Sequence, residues 1–356
     1  MKYAILGKSG MRVSKLCLGT MTFASREPWG ASREASKAIF EAYSEAGGNF
    51  IDTANMYADG ESEKLLGELI ASDRERYVLA TKYANAVPGR QDANAAGSHR
   101  KSLAQSIDAS LKRLGVDYID LYLVHFWDFT VPVEEVMRAL DDAVSAGKIL
   151  HAGLSDVPAW VAARAQAFHE LRGLCPVACM QLEYSLVERT IEQEHIPLSR
   201  DNNIAITAWS PIAGGILSGK YANPDVDRDE NRLQSMQLQP LNERNRKIAE
   251  GLGTLAAELG LESAQLALAW ILHRGVIPII GATRVAQLEQ NLSAMDIQLD
   301  SDTIERLDQI SAADLGHPYK MYDWDMSMSL GYGGMFEHID NPAYPVCKRW
   351  ESGGSQ

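Results

Sequence analysis

Three ionisable residues stand at the ends of apolar segments in the first half of the chain: Asp52, Lys82 and His125, with Tyr57 five residues beyond the first. A phenol has a pKa of about 10 and is a poor acid at neutral pH. A nearby ammonium stabilises the phenolate and lowers that pKa, and a carboxylate keeps the ammonium charged and oriented. His125 can hydrogen-bond a substrate oxygen. These residue types suit proton donation to a carbonyl oxygen as hydride reaches its carbon, or the reverse.

Each of these residues also has a purely structural interpretation. Asp52 and Lys82 can form a structural ion pair, which perturbs pKa values without any catalytic role. Tyr57 alone is typical of a surface loop, and His125 alone is typical of a hydrogen-bonded core histidine. The four residues together, at adjacent strand ends, favour catalysis over packing.

The elements that would position these residues repeat along the chain as a short apolar run, a polar turn and a segment of helical period. Eight runs predict strands that are covered on both faces, as in a parallel sheet. They are Lys15–Thr20, Asn49–Ala54, Tyr77–Lys82, Ile119–His125, Ile149–Ser155, Ala178–Tyr184, Ile204–Ser210 and Val276–Ala282. The helical segments are Ser32–Ala46, Ser62–Ser72, Ser98–Leu114, Val133–Ala146, Pro158–Leu171, Glu188–Asn202 and Asn242–Gly260. The count of eight predicts an α/β fold closed into a (β/α)8 barrel, whose reactive residues lie at the carboxyl ends of the strands.

Three segments fall outside the repeat of this single predicted domain, residues 1–356. Residues 1–14 are expected to form a hairpin that plugs one end of the barrel. Residues 212–240 form a long loop after strand seven, too long for an ordinary connection. Residues 312–356 form a C-terminal tail rich in aromatic residues, expected to pack across a surface.

The composition restricts the class of partner. Among 356 residues, 34 basic against 47 acidic side chains give a net charge of −13, which disfavours nucleic acid and anionic membranes. The longest apolar run, Leu266–Leu272, is far shorter than the ~20 residues of a membrane span, and the first residues do not resemble a signal peptide. The four cysteines show no metal-binding spacing, so we expect reduced thiols, no metal and a cytoplasmic protein.

Two glycine-rich patterns are misleading by themselves. Gly251-Leu-Gly253-Thr-Leu-Ala256 matches a dinucleotide turn but lies inside a helical segment. Gly214–Lys220 matches a phosphate loop except that Tyr221 replaces the final Ser or Thr. Directly after a strand, this second loop can still present backbone N–H groups to a phosphate.

Over residues 1 to about 312 the sequence closely resembles the aldo-keto reductase family, NADPH-dependent carbonyl reductases on a (β/α)8 barrel, and the branch that includes potassium-channel β-subunit-like members. The matching motifs are Leu18–Met21, Phe50–Ala54 with Tyr57, Leu79–Lys82, Tyr118–His125, Gly153–Asp156, Gln181–Tyr184, Ala208–Pro211 and Pro278–Arg284. The resemblance implies that Asp52, Tyr57, Lys82 and His125 are a catalytic tetrad with Tyr57 as the general acid.

The resemblance also implies a site for NADPH or NADP+. Contacts to the nicotinamide end are expected from Gly19, Thr20, Met21, Asp52, Ser155, Asp156, Gln181 and Trp209. The pyrophosphate would lie over Ser210, Pro211, Ile212, Gly214, Leu217 and Lys220, and the adenosine end would contact Gly281, Thr283, Arg284, Gln287, Gln290 and Asn291. Arg284 and Gln287 suit a 2′-phosphate. Asp156 replaces a common Asn and Gln290 a common Glu, differences that bear on the preference between NADP and NAD.

The substrate pocket is expected to be aromatic and to accept carbonyl compounds with an apolar part. Its walls are expected from Trp29, Tyr57, His125, Phe126 and Trp127. Two other functions stay open: an NADP-binding regulatory subunit of a channel-like partner, and an aldolase that uses Lys82 as a Schiff base. The pairing with Asp52 disfavours the aldolase, because an ion-paired lysine stays protonated and is a weak nucleophile.

Overall fold

The computed structural model describes residues 1–25, 29–86, 92–220, 240–314, 316–322, 324–335 and 338–339. Its centre is a closed barrel of eight parallel strands in which each strand pairs with its neighbours in sequence and the last pairs with the first. The barrel strands are β3 (Cys17–Gly19), β4 (Phe50–Asp52), β5 (Val78–Tyr83), β6 (Ile119–Val124), β7 (Ile149–Ser155), β8 (Val177–Glu183), β9 (Ala205–Trp209) and β10 (Ile277–Ile280). The predicted (β/α)8 barrel is confirmed.

Helices surround the barrel and bury one face against it. Val133, Val136, Met137 and Leu140 show why, because their spacing places four buried side chains on one side of α4. The helices are α1 (Arg33–Glu45), α2 (Glu61–Ile70), α3 (Arg100–Leu114), α4 (Val133–Ser145), α5 (Ala159–Arg172), α6 (His195–Asn202), α7 (Glu243–Glu258), α8 (Ser263–His273), α9 (Val285–Ser293), α10 (Ser301–Ile310), α11 (Tyr319–Tyr322) and α12 (Asp325–Gly331). No single helix in the described ranges is long and apolar enough to span a bilayer, although α7 and α8, bent by 96°, pass that test as a pair.

The first residues form the predicted hairpin, from β1 (Tyr3–Ile5) and β2 (Arg12–Ser14). Leu6 and Val13 are fully buried and pack into the apolar cluster inside the barrel. At Gly7, where φ is 53°, a Cβ would lie 2.4 Å from the carbonyl oxygen of Ala178, close to the start of β8. The hairpin therefore closes the amino-terminal end of the barrel, as expected.

The structure differs from the predicted elements in two ways. The segment Glu188–Asn202, expected as one helix, is a 3-10 turn at Thr190–Glu192 followed by α6. Pro197 lies in the first turn of α6, where its missing N–H costs nothing, and an earlier start would place it in a helix interior. The helices α8, α9 and α10 were not predicted.

The segments outside the repeat are described only in part. In the loop after β9, residues 213–218 form a 3-10 turn, and residues 221–239 lie outside the described residues. In the tail, α11 and α12 are formed, while 315, 323, 336–337 and 340–356 lie outside the described residues. Trp324 and Leu330 are 49% and 76% exposed, so the expected packing of the tail across a surface is not found for these side chains.

Candidate active site

Three neighbouring strands each place one polar side chain inside the carboxyl end of the barrel. Successive side chains of a strand point to opposite faces, so every second residue faces the interior. Asp52, Lys82 and His125 are each two positions beyond a residue of the apolar cluster inside the barrel, namely Phe50, Ala80 and Leu123. The three polar side chains therefore converge at the mouth of the barrel.

Asp52 and Lys82 form a buried ion pair across β4 and β5. Lys82 Nζ donates to Asp52 Oδ2 at 2.6 Å, and the two side chains are 0% and 4% exposed. A second bond from Nζ reaches the carbonyl oxygen of Thr53 at 2.8 Å. Asp52 Oδ1 accepts from Gln181 Nε2 at 2.8 Å. Both charges are thus hydrogen-bonded inside the barrel.

The charge state of Lys82 follows from this environment. Burial by itself lowers the pKa of Lys82, but the charge of Asp52 and the neighbouring Tyr57 raise it by more, so the pKa lies above its usual value. The side chain is therefore an ammonium at neutral pH.

Tyr57 is brought to this ammonium by an unusual turn. The 3-10 turn Tyr57–Gly60 follows β4, and Ala58, Asp59 and Gly60 have φ of 48°, 58° and 88°. The left-handed backbone reverses the chain within a few residues. Tyr57 Oη lies 3.4 Å from Lys82 Nζ, and the centroid of the tyrosine ring lies 5.0 Å from the same nitrogen.

The helix that follows this turn is fastened to the strand ends by side chains that the sequence analysis did not single out. Ser62 Oγ donates to the carbonyl oxygen of Thr20 at 2.9 Å. Glu63, fully buried, accepts from Thr81 Oγ1 at 2.7 Å and from Arg113 Nε at 2.6 Å. Since Thr81 directly precedes Lys82, these contacts hold the start of α2, and with it the Tyr57 turn, against β5.

His125 follows β6 and faces Tyr57. Their rings meet edge to face with centroids 6.0 Å apart. Burial, with a smaller contribution from the charge of Lys82, lowers the pKa of His125 to about 3. The imidazole is therefore neutral at physiological pH and carries one N–H donor.

On the opposite side of the mouth, Asp156 and Trp209 are joined by a hydrogen bond. Trp209 Nε1 donates to Asp156 Oδ1 at 2.9 Å, and Ser155 Oγ lies 3.5 Å from the other carboxylate oxygen. Asp156 adopts a left-handed backbone with φ of 47°. Partial desolvation by the barrel mouth outweighs the bond from Trp209 and raises the pKa of Asp156 to about 6.

The loop after β9 forms a compact, glycine-dependent turn. Ser210 Oγ accepts from the backbone N–H of Gly214 at 3.1 Å, and Gly214 and Gly215 have φ of 61° and 103°. Lys220 lies above the turn, because a Cβ on Gly215 would be 2.9 Å from its Nζ. Of the other predicted contacts here, Pro211 and Leu217 are buried and Ile212 is half-buried.

The residues predicted for the adenosine end gather around the start of α9. Thr283 donates through its backbone N–H and its hydroxyl to Gln287 Oε1, at 2.9 and 3.0 Å. Asn291 Nδ2 donates to the carbonyl oxygen of Gly281 at 3.3 Å. Arg284 is exposed at the N-cap of the helix, whose positive dipole end favours anions.

The other predicted residues differ in exposure. Thr20 Oγ1 donates to the carbonyl oxygen of Asp52 at 3.0 Å, and the next residue, Met21, is half-buried. Phe126 is 42% exposed, whereas Trp127 is 4% exposed and packs in the outer hydrophobic core. Trp127 thus presents little surface to a bound molecule. Trp29 and Gln290 are half-buried as well.

No group of three potential metal-ligating side chains occurs within the described ranges. The polar groups at the mouth instead pair with one another: carboxylate with ammonium, and carboxylate with indole. Such an arrangement can hold a proton donor beside a fixed positive charge.

Comparison with known proteins agrees with this geometry. The family model described as "Aldo/keto reductase family" matches residues 15–312. The norsolorinic acid reductase stcV of Emericella nidulans is 38% identical over 87% of this chain and 81% of its own length. An aryl-alcohol dehydrogenase [NADP(+)] of Phanerodontia chrysosporium is 33% identical over 88% and 86%. A putative aryl-alcohol dehydrogenase of Saccharomyces cerevisiae is 34% identical over 91% and 90%. This chain belongs to the aldo/keto reductase family of oxidoreductases.

Proposed function

We propose that this protein is an NADP(H)-dependent reductase that interconverts aldehydes or ketones, aryl compounds above all, with their alcohols. One observation carries the proposal. The ammonium of Lys82, paired with Asp52, lies 3.4 Å from the hydroxyl of Tyr57 at the open end of the barrel. A phenol beside a fixed cation is suited to donating a proton and remaining as a phenolate.

The cofactor proposal is supported by the shape and charge of the loops after β9 and β10. Gly214 and Gly215 have the left-handed backbone that makes the turn compact, and a Cβ on Gly215 would lie 2.9 Å from Lys220 Nζ, so the ammonium lies directly beside this turn. Arg284 at the N-terminus of α9 offers a second cation where helix geometry favours a phosphate. Two cationic positions suit a pyrophosphate and a 2′-phosphate, and therefore NADP over NAD. When bound, the reduced nicotinamide supplies a hydride to the carbonyl carbon.

At the nicotinamide end, the side chains available are an amide, a hydroxyl and an indole. Gln181 is held by Asp52, and Ser155 and Trp209 flank Asp156. These residues would hold the ring and its carboxamide. Asp156 would place an ionisable carboxyl at a position where the neutral amide of an Asn is common in the family. Its ionisation is therefore expected to influence whether NADP+ or NADPH binds more tightly.

In the reductive direction, Tyr57 donates its proton to the carbonyl oxygen of the substrate as the O–H bond breaks. Lys82 stabilises the phenolate that is left, and Asp52 keeps Lys82 charged and fixed in orientation. The neutral N–H of His125 would hydrogen-bond the same oxygen and orient it. In the oxidative direction the phenolate accepts the proton from the alcohol.

An aryl substrate is supported by aromatic side chains in the loops after β3 and β6 and by the names of two of the relatives compared above. Phe126 is exposed directly after His125, and Trp29 is half-buried in the loop after β3. Aromatic side chains favour stacking or edge contacts with an aromatic ligand. Two relatives are named aryl-alcohol dehydrogenases, so their named activity involves an aryl alcohol.

The test is turnover by the purified chain. We expect NADPH to be oxidised, by loss of its ultraviolet absorbance, with formation of the alcohol from aryl aldehydes faster than from short aliphatic aldehydes. NADH should be used with a lower kcat/KM. If absorbance stays constant over a broad aldehyde and ketone panel while NADPH binds, the proposal is wrong and a regulatory NADP-binding subunit becomes the better interpretation.

A further inference from the structure

Asn85 lies beside His125, and long-range hydrogen bonds hold it there. It lies two residues after β5, beyond Ala84, whose φ of 91° turns the chain across the mouth. The backbone carbonyl of Asn85 accepts from Nδ2 of Asn55, a buried residue, at 3.1 Å. The carbonyl of Ala84 accepts from the N–H of Gly97 at 2.8 Å. Two long-range hydrogen bonds thus hold this short segment in place.

The side-chain amide nitrogen of Asn85 lies within hydrogen-bond distance of two atoms that can accept a hydrogen bond. Nδ2 lies 3.1 Å from His125 Nδ1 and 3.2 Å from Met56 Sδ. A thioether sulfur is a weak acceptor and has no proton to donate. The reversed amide would put an oxygen against that sulfur and gain no bond there, so the contacts favour the NH2 group on this side.

This orientation decides which ring nitrogen of His125 carries the proton. A nitrogen that accepts from an amide N–H must present its lone pair, so Nδ1 is unprotonated. The pKa of about 3 keeps the imidazole singly protonated at neutral pH. The single proton then belongs to Nε2.

We propose that Asn85 is a positioning residue that fixes His125 as the Nε2–H tautomer, so that its donor is available to the substrate oxygen that Tyr57 protonates. The tautomer itself does not depend on the proposed function. Its role toward a carbonyl oxygen rests on the proposed function. With Nδ1–H instead, His125 would offer that oxygen a lone pair, which repels it.

The test uses Asn85→Asp, which keeps the shape of the side chain but replaces the donor by an acceptor. A carboxylate there accepts from Nδ1–H, so it favours either the opposite tautomer or the imidazolium, and both carry a proton on Nδ1. Asn202→Asp makes the same chemical change at the opposite end of the barrel, where α6 leads into β9, and serves as the control.

The direct readout is nuclear magnetic resonance of isotope-labelled histidine in the full-length protein, with the His125 signals assigned by their loss in His125→Gln. Between about pH 5 and 8, we expect the wild type and Asn202→Asp to show an unprotonated Nδ1 and a protonated Nε2. In Asn85→Asp, Nδ1 should be protonated. A wild-type signal with protonated Nδ1, or an Asn85→Asp signal with unprotonated Nδ1, overturns the proposal.

Kinetics supply the second readout. The loss of one well-placed donor to a developing oxyanion costs roughly 100-fold in rate. Where the spectra show the neutral Nδ1–H form in Asn85→Asp, we expect kcat/KM for the carbonyl substrate to fall by about that factor, while the Kd for NADP+ stays within about twofold. Where they show the imidazolium, which keeps the Nε2–H donor, kcat/KM should fall by less than about tenfold. An unchanged kcat/KM with the neutral Nδ1–H form, or a roughly 100-fold loss with the imidazolium, contradicts the role. The tautomer measurement needs no turnover, so an inactive wild type would refute the proposed function and leave the assignment of the tautomer testable.

Discussion

Replacing Lys82 by Met tests how much the buried ion pair of Lys82 and Asp52 contributes to stability and how much to catalysis. At 2.6 Å, opposite charges attract by about 6 kcal/mol at an effective dielectric constant of about 20. The substitution loses this attraction but also removes the cost of burying an ammonium, which is several kcal/mol. Since Gln181 still donates to Asp52, we expect the free energy of unfolding to fall by about 3 kcal/mol, at the lower end of such losses.

The double variant Asp52→Asn/Lys82→Met should be more stable than Lys82→Met, although it carries one substitution more. The double variant removes both buried charges of this pair. The amide oxygen of the Asn at position 52 can still accept from Gln181. Replacing both partners of a buried pair is often neutral, so we expect a loss within about 1 kcal/mol of the wild type. Both variants should lack turnover, because neither has a cation beside Tyr57.

The assay is urea unfolding followed by tryptophan fluorescence, with NADPH turnover measured on the same samples. Lys148→Met is the matched control, because Lys148 Nζ lies 2.6 Å from Asp108 Oδ1, the same distance as in the buried pair, but the two side chains are 43% and 64% exposed. It should lose at most about 1 kcal/mol and keep full activity. A double variant that is no more stable than Lys82→Met would refute this reasoning. Turnover by Lys82→Met near that of the wild type would also refute it.

Three further predictions follow from other contacts of the site. Arg284→Met should raise the Kd for NADPH by roughly 10- to 100-fold and leave that for NADH little changed, since one charge-assisted bond contributes about 1.5–3 kcal/mol; equal changes for both cofactors would argue against a 2′-phosphate contact. Asp156 has a raised pKa of about 6, so its carboxyl is neutral below that pH and anionic above it. The preference for NADP+, whose nicotinamide ring is cationic, over NADPH should therefore grow as pH rises from about 5 to 7, and fluorescence titrations of Asp156→Asn should show no such trend. Glu63→Gln should lower the free energy of unfolding by about 2 kcal/mol, because Arg113 and Thr81 lose a shared ionised acceptor; urea unfolding with no measurable change would contradict that contribution.

The barrel was predictable because its strands have a simple chemical signature. Each strand is buried on both faces and reads as a short, almost continuous apolar run, such as Ile119–Val124. A polar residue at the end of such a run stands out, which is why Asp52, Lys82 and His125 could be singled out before any coordinates. The alternation of side chains along the strands then brings all three to one place.

Some elements gave weaker signals for physical reasons. The helix α8 is buried over most of its surface, from Ala264 to Ile271, so its sequence has no polar face and no helical period to detect. The break before α6 follows from Pro197, which is tolerated only in the first turn of a helix, and hydrophobic periodicity does not register it. Neither feature changes the placement of the polar residues at the mouth.

The supporting residues of the site were missed for another reason. Ser62, Glu63 and Asn85 contact the mouth through loops and helix starts, and the partners Thr20, Thr81, Arg113 and His125 lie between 18 and 50 residues away in sequence. Nothing in the local pattern shows which carboxylate meets Thr81 or which amide meets His125. Among these three residues, only Asn85 could have been found from the sequence, because it is a polar residue just after the end of a predicted strand.

The most direct test of the central claim is single-turnover reduction of an aryl aldehyde by the protein preloaded with NADPH, comparing Tyr57→Phe with the wild type. Tyr3→Phe, an exposed tyrosine on the hairpin at the far end of the barrel, is the matched control. We predict that Tyr57→Phe binds NADPH as tightly as the wild type but transfers hydride more slowly by roughly 100-fold or more, while Tyr3→Phe is unchanged. A Tyr57→Phe rate within tenfold of the wild type would contradict the assignment of Tyr57 as the proton donor.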